Sequence, residues 1–269
     1  MSEAQEIRVA VCGAAGRMGR EVVRAVAEAE GLTLVAAIDR SETGKDAGEL
    51  VGAGNLGVAM ETDLAAALAR SGAQVVVDFT VPASAMGNIR TALEAKVCPV
   101  VGTTGLTPPD IEQVRKWTEE AGIGALIAPN FAIGAVLMMQ FAAQAAKYMP
   151  DVEIIEMHHE KKLDSPSGTA LMTAQKIAEG RAQSPLSAPQ GTIEKISGGR
   201  GAVTDEIHIH SVRLPGYVAS QEVIFGGLGQ TLSLRHDSLD RRSFMPGVVL
   251  AVRKVVGLKG LVVGLEHLL

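Results

Sequence analysis

The strongest constraint on the fold lies near the N-terminus. Ile7–Cys12 (IRVAVC) is a short, mostly apolar run, the pattern of a parallel strand buried on both faces. It runs directly into Gly13-Ala14-Ala15-Gly16-Arg17-Met18-Gly19. Residues 17–29 then place Met18, Val22, Val23 and Val26 on one helical stripe. Leu32–Ile38 (LTLVAAI) is a second strand, ending at Asp39-Arg40. Strand, glycine loop, helix and strand in this order make the βαβ unit of a nucleotide-binding sheet.

The same alternation continues. Helices are expected over 63–70 and 82–95, and strands over 75–79, 98–101 and 125–128. Thr107 reads as an N-cap, with Pro108 at the first helical position and Asp110 at the third. Repeated β-α units to about residue 129 predict an α/β fold, a doubly wound parallel sheet of Rossmann-like type. Then the pattern changes. A long helix is expected over 132–149, a strand over 152–157, a helix over 167–180, and a Ser/Pro/Gly-rich loop over 183–200. Period-two runs at 206–214, 221–225 and 230–236 predict an α+β second domain. A last helix over 239–256 precedes an apolar tail at 261–265. The expected division is therefore 1–129, 130–238, and 239–269, the last returning to the first domain.

Composition narrows the function classes. Hydrophobic residues make up 47% of the 269-residue chain but aromatics only 3%, so a sizeable core must be built from Ala, Val, Leu, Ile and Met. A net charge of −5 gives no general attraction to nucleic acid or to an anionic membrane. Neither a signal-peptide pattern nor an apolar run of roughly 18 residues is visible. Cys12 and Cys98 sit in strand-like runs without a C-x-x-C pair, so reduced buried thiols are expected. A cytoplasmic protein follows, with no nucleic-acid or membrane partner.

The glycine loop has a direct physical reading. Gly13 permits the tight turn out of the strand, Gly16 lets the backbone approach a pyrophosphate, and Gly19 lets the helix lie close to the strand. The phosphates then meet the positive helix end. The spacing is G-x-x-G-x-x-G rather than G-x-G-x-x-G, and a tight turn that binds nothing has the same pattern. Asp39, about 20 residues on, stands where a ribose 2′-OH is gripped. Arg40 beside it suits a 2′-phosphate. Use of both NADH and NADPH is expected, with Asp39 favouring NADH slightly. Gly102-Thr103-Thr104 and Ala128-Pro129-Asn130-Phe131 lie at strand C-termini, where ligands bind in such sheets, although ordinary turn chemistry also explains them.

A second segment carries the chemistry: Glu156-Met157-His158-His159-Glu160-Lys161-Lys162-Leu163-Asp164-Ser165-Pro166-Ser167-Gly168-Thr169-Ala170. Imidazole can give or take a proton near neutral pH. The lysines bring positive charge, and the N–H groups of Gly168 and Thr169 open a helix, which attracts anions. An anionic substrate held beside a proton carrier is the reading this combination favours. Other readings stay open: a metal site completed by His208 and His210, or a solvated lysine turn with Asp164 as a cap. No third metal ligand has a convincing local spacing, and no metal is expected.

The run E-x-H-H-x-x-K-x-D-x-P-S-G-T-A is closely similar to the signature of the bacterial 4-hydroxy-tetrahydrodipicolinate reductases, formerly called dihydrodipicolinate reductases. V-x-G-A-x-G-R-M-G-R at 11–20, D-F-T at 78–80, G-T-T-G at 102–105 and N-F at 130–131 extend the resemblance over essentially the whole chain. The resemblance implies a nicotinamide-dependent reductase of lysine and diaminopimelate biosynthesis, acting on a small dicarboxylate. It also implies that the second domain binds substrate and assembles a homotetramer. His158 would be the catalytic acid/base and Lys162 a proton donor, with His159, Gly168 and Thr169 on the substrate carboxylates. Gly13, Ala14, Ala15, Gly16, Arg17, Met18, Asp39, Arg40, Gly102, Thr103, Thr104, Ala128, Pro129, Asn130 and Phe131 would line the cofactor site. Pro129, where alanine is commoner, Arg235, where threonine often precedes the histidine at 236, and Val81, where some relatives are basic, depart from the pattern.

Overall fold

The computed structural model describes residues 6–181 and 193–269. It forms two compact units, Met1–Phe131 with Phe244–Leu269, and Ala132–Ser243. The first runs β1 (Ile7–Cys12), α1 (Arg17–Glu28), β2 (Leu32–Ile38), α2 (Ala47–Val51), β3 (Met60–Glu61), α3 (Leu64–Ser71), β4 (Val75–Asp78), α4 (Pro82–Glu94), β5 (Cys98–Val101), α5 (Pro108–Ala121) and β6 (Gly124–Ile127). The second holds α6 (Ile133–Ala146), β7 (Asp151–His158), α7 (Gly168–Arg181), β8 (Ala202–Thr204), β9 (Ile207–Arg213), β10 (Ala219–Gly227) and β11 (Gln230–Ser238). The chain then returns to the first unit with α8 (Met245–Val255) and β12 (Gly260–Val263).

The first sheet is seven-stranded, in the order β12-β6-β5-β4-β1-β2-β3, and each ladder is parallel. Every residue of β4, β5 and β6 is buried, as helices on both faces require. Ala10, Cys12, Ile38, Leu68 and Val76 pack in one cluster, and Ile89, Val101, Val114, Ile127 and Leu261 in another. On α1 the buried stripe is Gly19, Val22, Val23 and Val26. At α5 the Thr107 hydroxyl and the Asp110 carboxylate close a reciprocal capping box, and Gly122 ends the helix in the left-handed region.

The second sheet is mixed, in the order β11-β10-β7-β9-β8, with β7 and β9 parallel and the other pairs antiparallel. Its buried face carries Val152, Ile154, Ile207, Ile209, Val223 and Phe225. Glu156 continues that alternation and is also buried, which sets a charged group in line with the core.

Two sequence expectations need correction, and three short elements were not anticipated. The helix expected over 132–149 ends at Ala146. The one expected over 239–256 begins at Met245, because Asp240 accepts from the Arg242 N–H and a 3-10 turn fills Arg241–Phe244. The short elements α2, β3 and β8 carry too few residues for periodicity to reveal them. Of the loop expected over 183–200, residues 183–192 lie outside the described residues.

Candidate active site

In the first unit, the glycine loop leaves β1 through Gly13, whose φ of +76° is left-handed and whose position would bring a Cβ within 2.6 Å of the Phe79 carbonyl oxygen. A Cβ on Gly19 would lie 1.9 Å from the Gly13 oxygen, so α1 can start here only on glycine. Gly16 is the N-cap and has no side chain to cap the helix. The first N–H groups of α1 therefore keep their donor capacity. The N–H groups of Gly13 and Ala14 are held by the Ile38 carbonyl, at 2.8 and 3.2 Å.

Asp39, at the end of β2, accepts from the Ala15 N–H at 3.1 Å and from the Ser41 N–H and hydroxyl at 2.9 and 2.8 Å. Burial pushes its carboxyl up, but these donors outweigh burial and hold it below the usual range. Arg40 beside it is exposed. Past β1, the C-terminal ends of β4, β5 and β6 open onto a cavity of about 400 Å³. Arg17, Met18, Gly102, Thr103, Thr104, Pro129, Asn130 and Phe131 line it, as do Phe79, Thr80 and Phe244. The Phe79 and Phe131 rings meet at 5.6 Å between centroids. Gly102 lacks a Cβ because one would sit 2.2 Å from the Phe79 ring. Ala128 lies buried just behind, its N–H on the Val101 carbonyl at 3.0 Å.

In the second unit, strand alternation brings Glu156 and His158 to one face of β7, and the register with β9 sets Arg213 beside His158. The Glu156 carboxylate is fully buried and holds several donors. His158 Nδ1 donates at 2.5 Å, Arg213 donates through both terminal nitrogens at 2.8 Å, and the Ser167 N–H donates at 3.2 Å. Burial pushes this carboxyl up, but the hydrogen bonds from His158, Arg213 and Ser211 pull it down to about 2. An ionised carboxylate only accepts, so His158 carries its hydrogen on Nδ1 and keeps Nε2 for exchange.

The loop after β7 is tied to this centre. Arg213 also donates to the Asp164 carbonyl at 2.7 Å. Lys162 Nζ rests on the Asp164 carboxylate at 2.7 and 2.9 Å. The Ala170 N–H bonds to the Ser167 hydroxyl at 3.2 Å, making Ser167 the cap of α7. A Cβ on Gly168 would meet nothing within 4 Å, so no packing inside the chain demands this glycine.

The sequence candidates thus divide into two sets. His158 joins a carboxylate network, while Lys162 bonds a loop carboxylate. His159 turns back, its Nδ1 accepting from the Lys161 N–H at 3.2 Å. Gly168 and Thr169 open α7. Sequence reasoning missed three things: the role of Glu156, although its spacing of two from His158 on a strand signals a shared face; Arg213, which only strand pairing delivers; and the pocket walls Phe79 and Thr80, inside a motif noted only as a resemblance. His208 and His210 do not join the His158 cluster. His208 bonds the Arg200 carbonyl at 2.7 Å and His210 the Glu153 carboxylate at 2.8 Å. Among the described residues no cluster of three or more His, Cys, Asp or Glu could hold a metal, and no helix is long and apolar enough to cross a membrane.

Comparison with known proteins agrees across the chain. The model for the N-terminus of dihydrodipicolinate reductase matches residues 7–131, and that for its C-terminus matches residues 134–269. The 4-hydroxy-tetrahydrodipicolinate reductase of Desulfitobacterium hafniense is 53% identical over 266 residues, covering 98% of this chain and 99% of that protein. That of Geobacillus kaustophilus is 55% identical over 263 residues, covering 98% and 99%. Among solved structures, the dipicolinate-bound dihydrodipicolinate reductase from Paenisporosarcina sp. TG-14 superposes with a TM-score of 0.86 at 45% identity, covering 98% of this chain and 100% of that one. A glycine loop, a strand-end pocket, a Glu-His centre and matches over both halves lead to one assignment: this chain belongs to the dihydrodipicolinate reductase family.

Proposed function

We propose that the chain reduces 4-hydroxy-tetrahydrodipicolinate to tetrahydrodipicolinate with loss of water, using NADH or NADPH, in lysine biosynthesis via diaminopimelate. One hydride and one proton enter the ring and one water leaves. The observation that carries this reading is the Glu156–His158 pair at a strand end beside the capped start of α7.

The first unit fits a dinucleotide. Gly13 and Gly19 have no room for a Cβ, and α1 starts without a side-chain cap. When bound, the nicotinamide supplies the hydride. The chain's residues supply orientation and water exclusion. Asp39 takes the adenosine ribose, and exposed Arg40 beside it tolerates a 2′-phosphate, which supports dual use with a slight preference for NADH. Arg17 and Met18 meet the phosphates with N–H groups, while the Gly16 N–H stays on the Gly13 carbonyl at 2.9 Å and its missing side chain leaves room for them. Gly102, Thr103, Thr104, Pro129, Asn130 and Phe131 enclose the far end.

His158 exchanges a proton through Nε2 while Nδ1 stays on Glu156. Lys162 is a donor resting on Asp164, and a substrate carboxylate competes with Asp164 for its ammonium protons. His159, Gly168 and Thr169 receive the substrate carboxylates; the open space above Gly168 and the helix start favour an anion there. Dipicolinate, the ligand of the Paenisporosarcina reductase, is a dicarboxylate of this kind. We take the working form to be a cytoplasmic homotetramer. The decisive assay follows nicotinamide absorbance with freshly generated dehydratase product. Turnover with NADH or NADPH is expected, and none with either defeats the reading.

A further inference from the structure

Asp78, the last residue of β4, is 1% exposed. Among the described residues it is held by neutral donors: the Thr80 N–H at 3.0 Å, the Thr80 hydroxyl at 2.7 Å, the Thr103 hydroxyl at 2.7 Å and the Asn88 amide at 2.7 Å. Each hydroxyl has one proton to give. The other acceptor near Thr80, the Val81 carbonyl, is farther off at 3.5 Å. Both protons therefore go to the carboxylate, and both oxygens keep only lone pairs for other partners. Thr80 and Thr103 line the 400 Å³ cavity, so this part of its wall accepts hydrogen bonds and donates none from these hydroxyls.

We propose that Asp78 is a positioning residue that sets this polarity, and that it makes the pocket select a carboxamide, whose N–H group donates, over a carboxylate or ketone in the same place. This rests on the reading that the cavity receives the nicotinamide end. The strand order supports that reading: Asp39 follows β2 on one side of β1, whereas Thr80 and Thr103 follow β4 and β5 on the other. A dinucleotide whose adenosine ribose lies at Asp39, with its phosphates at α1, extends its second base toward β4 and β5. There Asp78 acts only through the two threonines.

The test is a set of affinities, measured by reduced-nicotinamide fluorescence and by competition. The ligands are NADH, its 3-acetylpyridine analogue, which lacks the amide donor, and ADP-ribose, which lacks the ring. The wild type should bind NADH about 10-fold more tightly than the analogue. Asp78→Ala frees the hydroxyls to donate, and Thr103→Val removes one acceptor. Both should bring the ratio below about threefold, with ADP-ribose affinity unchanged, and Thr103→Ser should restore the ratio. If Asp78→Ala does not fold, Thr103→Val and Thr103→Ser decide alone. An undiminished ratio in the folded variants overturns the proposal, as does an equal loss for all three ligands, which would mark a structural role. If ADP-ribose binds the wild type as tightly as NADH, the pocket assignment fails and the proposal with it.

Discussion

A fully buried carboxylate is tolerated only where donors surround it, and Glu156 has His158, Arg213, Ser167 and Ser211. Its folded value of about 2 lies below the ordinary 4.5. The stabilisation is therefore complete above about pH 4.5 and is lost as pH falls toward about 2, and the gap corresponds to about 3 kcal/mol. Glu156→Gln should flatten this dependence; urea unfolding of both proteins from acid to neutral pH checks it. A glutamine can also turn its amide toward His158 and release the ring, so kcat should fall roughly 100-fold. His158→Gln should lower kcat by about 100-fold or more while KM changes little, because proton exchange acts in the transition state. Steady-state kinetics decides, and a near-normal kcat removes His158 from the chemistry. The histidine was legible from residue type. Its tautomer was not, because the partners of Glu156 come from β7, β9 and the start of α7.

The junction of β1 and α1 depends on two absent side chains. Gly19 lies so close to the Gly13 carbonyl that Gly19→Ala must push the helix off the sheet. A cost of about 3 kcal/mol or more is expected, above the usual range for overpacking because backbone cannot move aside as a side chain can. A thermal melt and a cofactor titration should both register it, and an unchanged melting temperature would contradict the close approach. Strands and long helices of this unit were legible because periodicity and the glycine loop agree locally. The start of α8 was not, because the Asp240 side chain competes with helix for the local backbone.

Across the molecule, two predictions remain. The ionised Asp39 and exposed Arg40 oppose each other in the choice of cofactor. The kcat/KM values with NADH and NADPH should therefore differ by less than about 100-fold, roughly 2.7 kcal/mol, and a larger gap rejects dual use. In the second unit, Val203 and Leu232 leave apolar surface on the mixed sheet's strands exposed, which is available for assembly. Sedimentation equilibrium should return four chains per particle, and a monomer under assay conditions rejects the tetramer.

Local patterning determined the parallel sheet, the glycine loop, the cysteines as buried thiols and the His-Lys segment, because each is written in residues close together along the chain. Tertiary structure decided that Arg213 joins His158 on the Glu156 carboxylate, and that Asp78 takes the proton of the Thr103 hydroxyl. Asp78 reaches Thr103 across 25 positions of the chain, and Glu156 reaches Arg213 across 57. Strand order and register alone bring such pairs together, and no local periodicity encodes them.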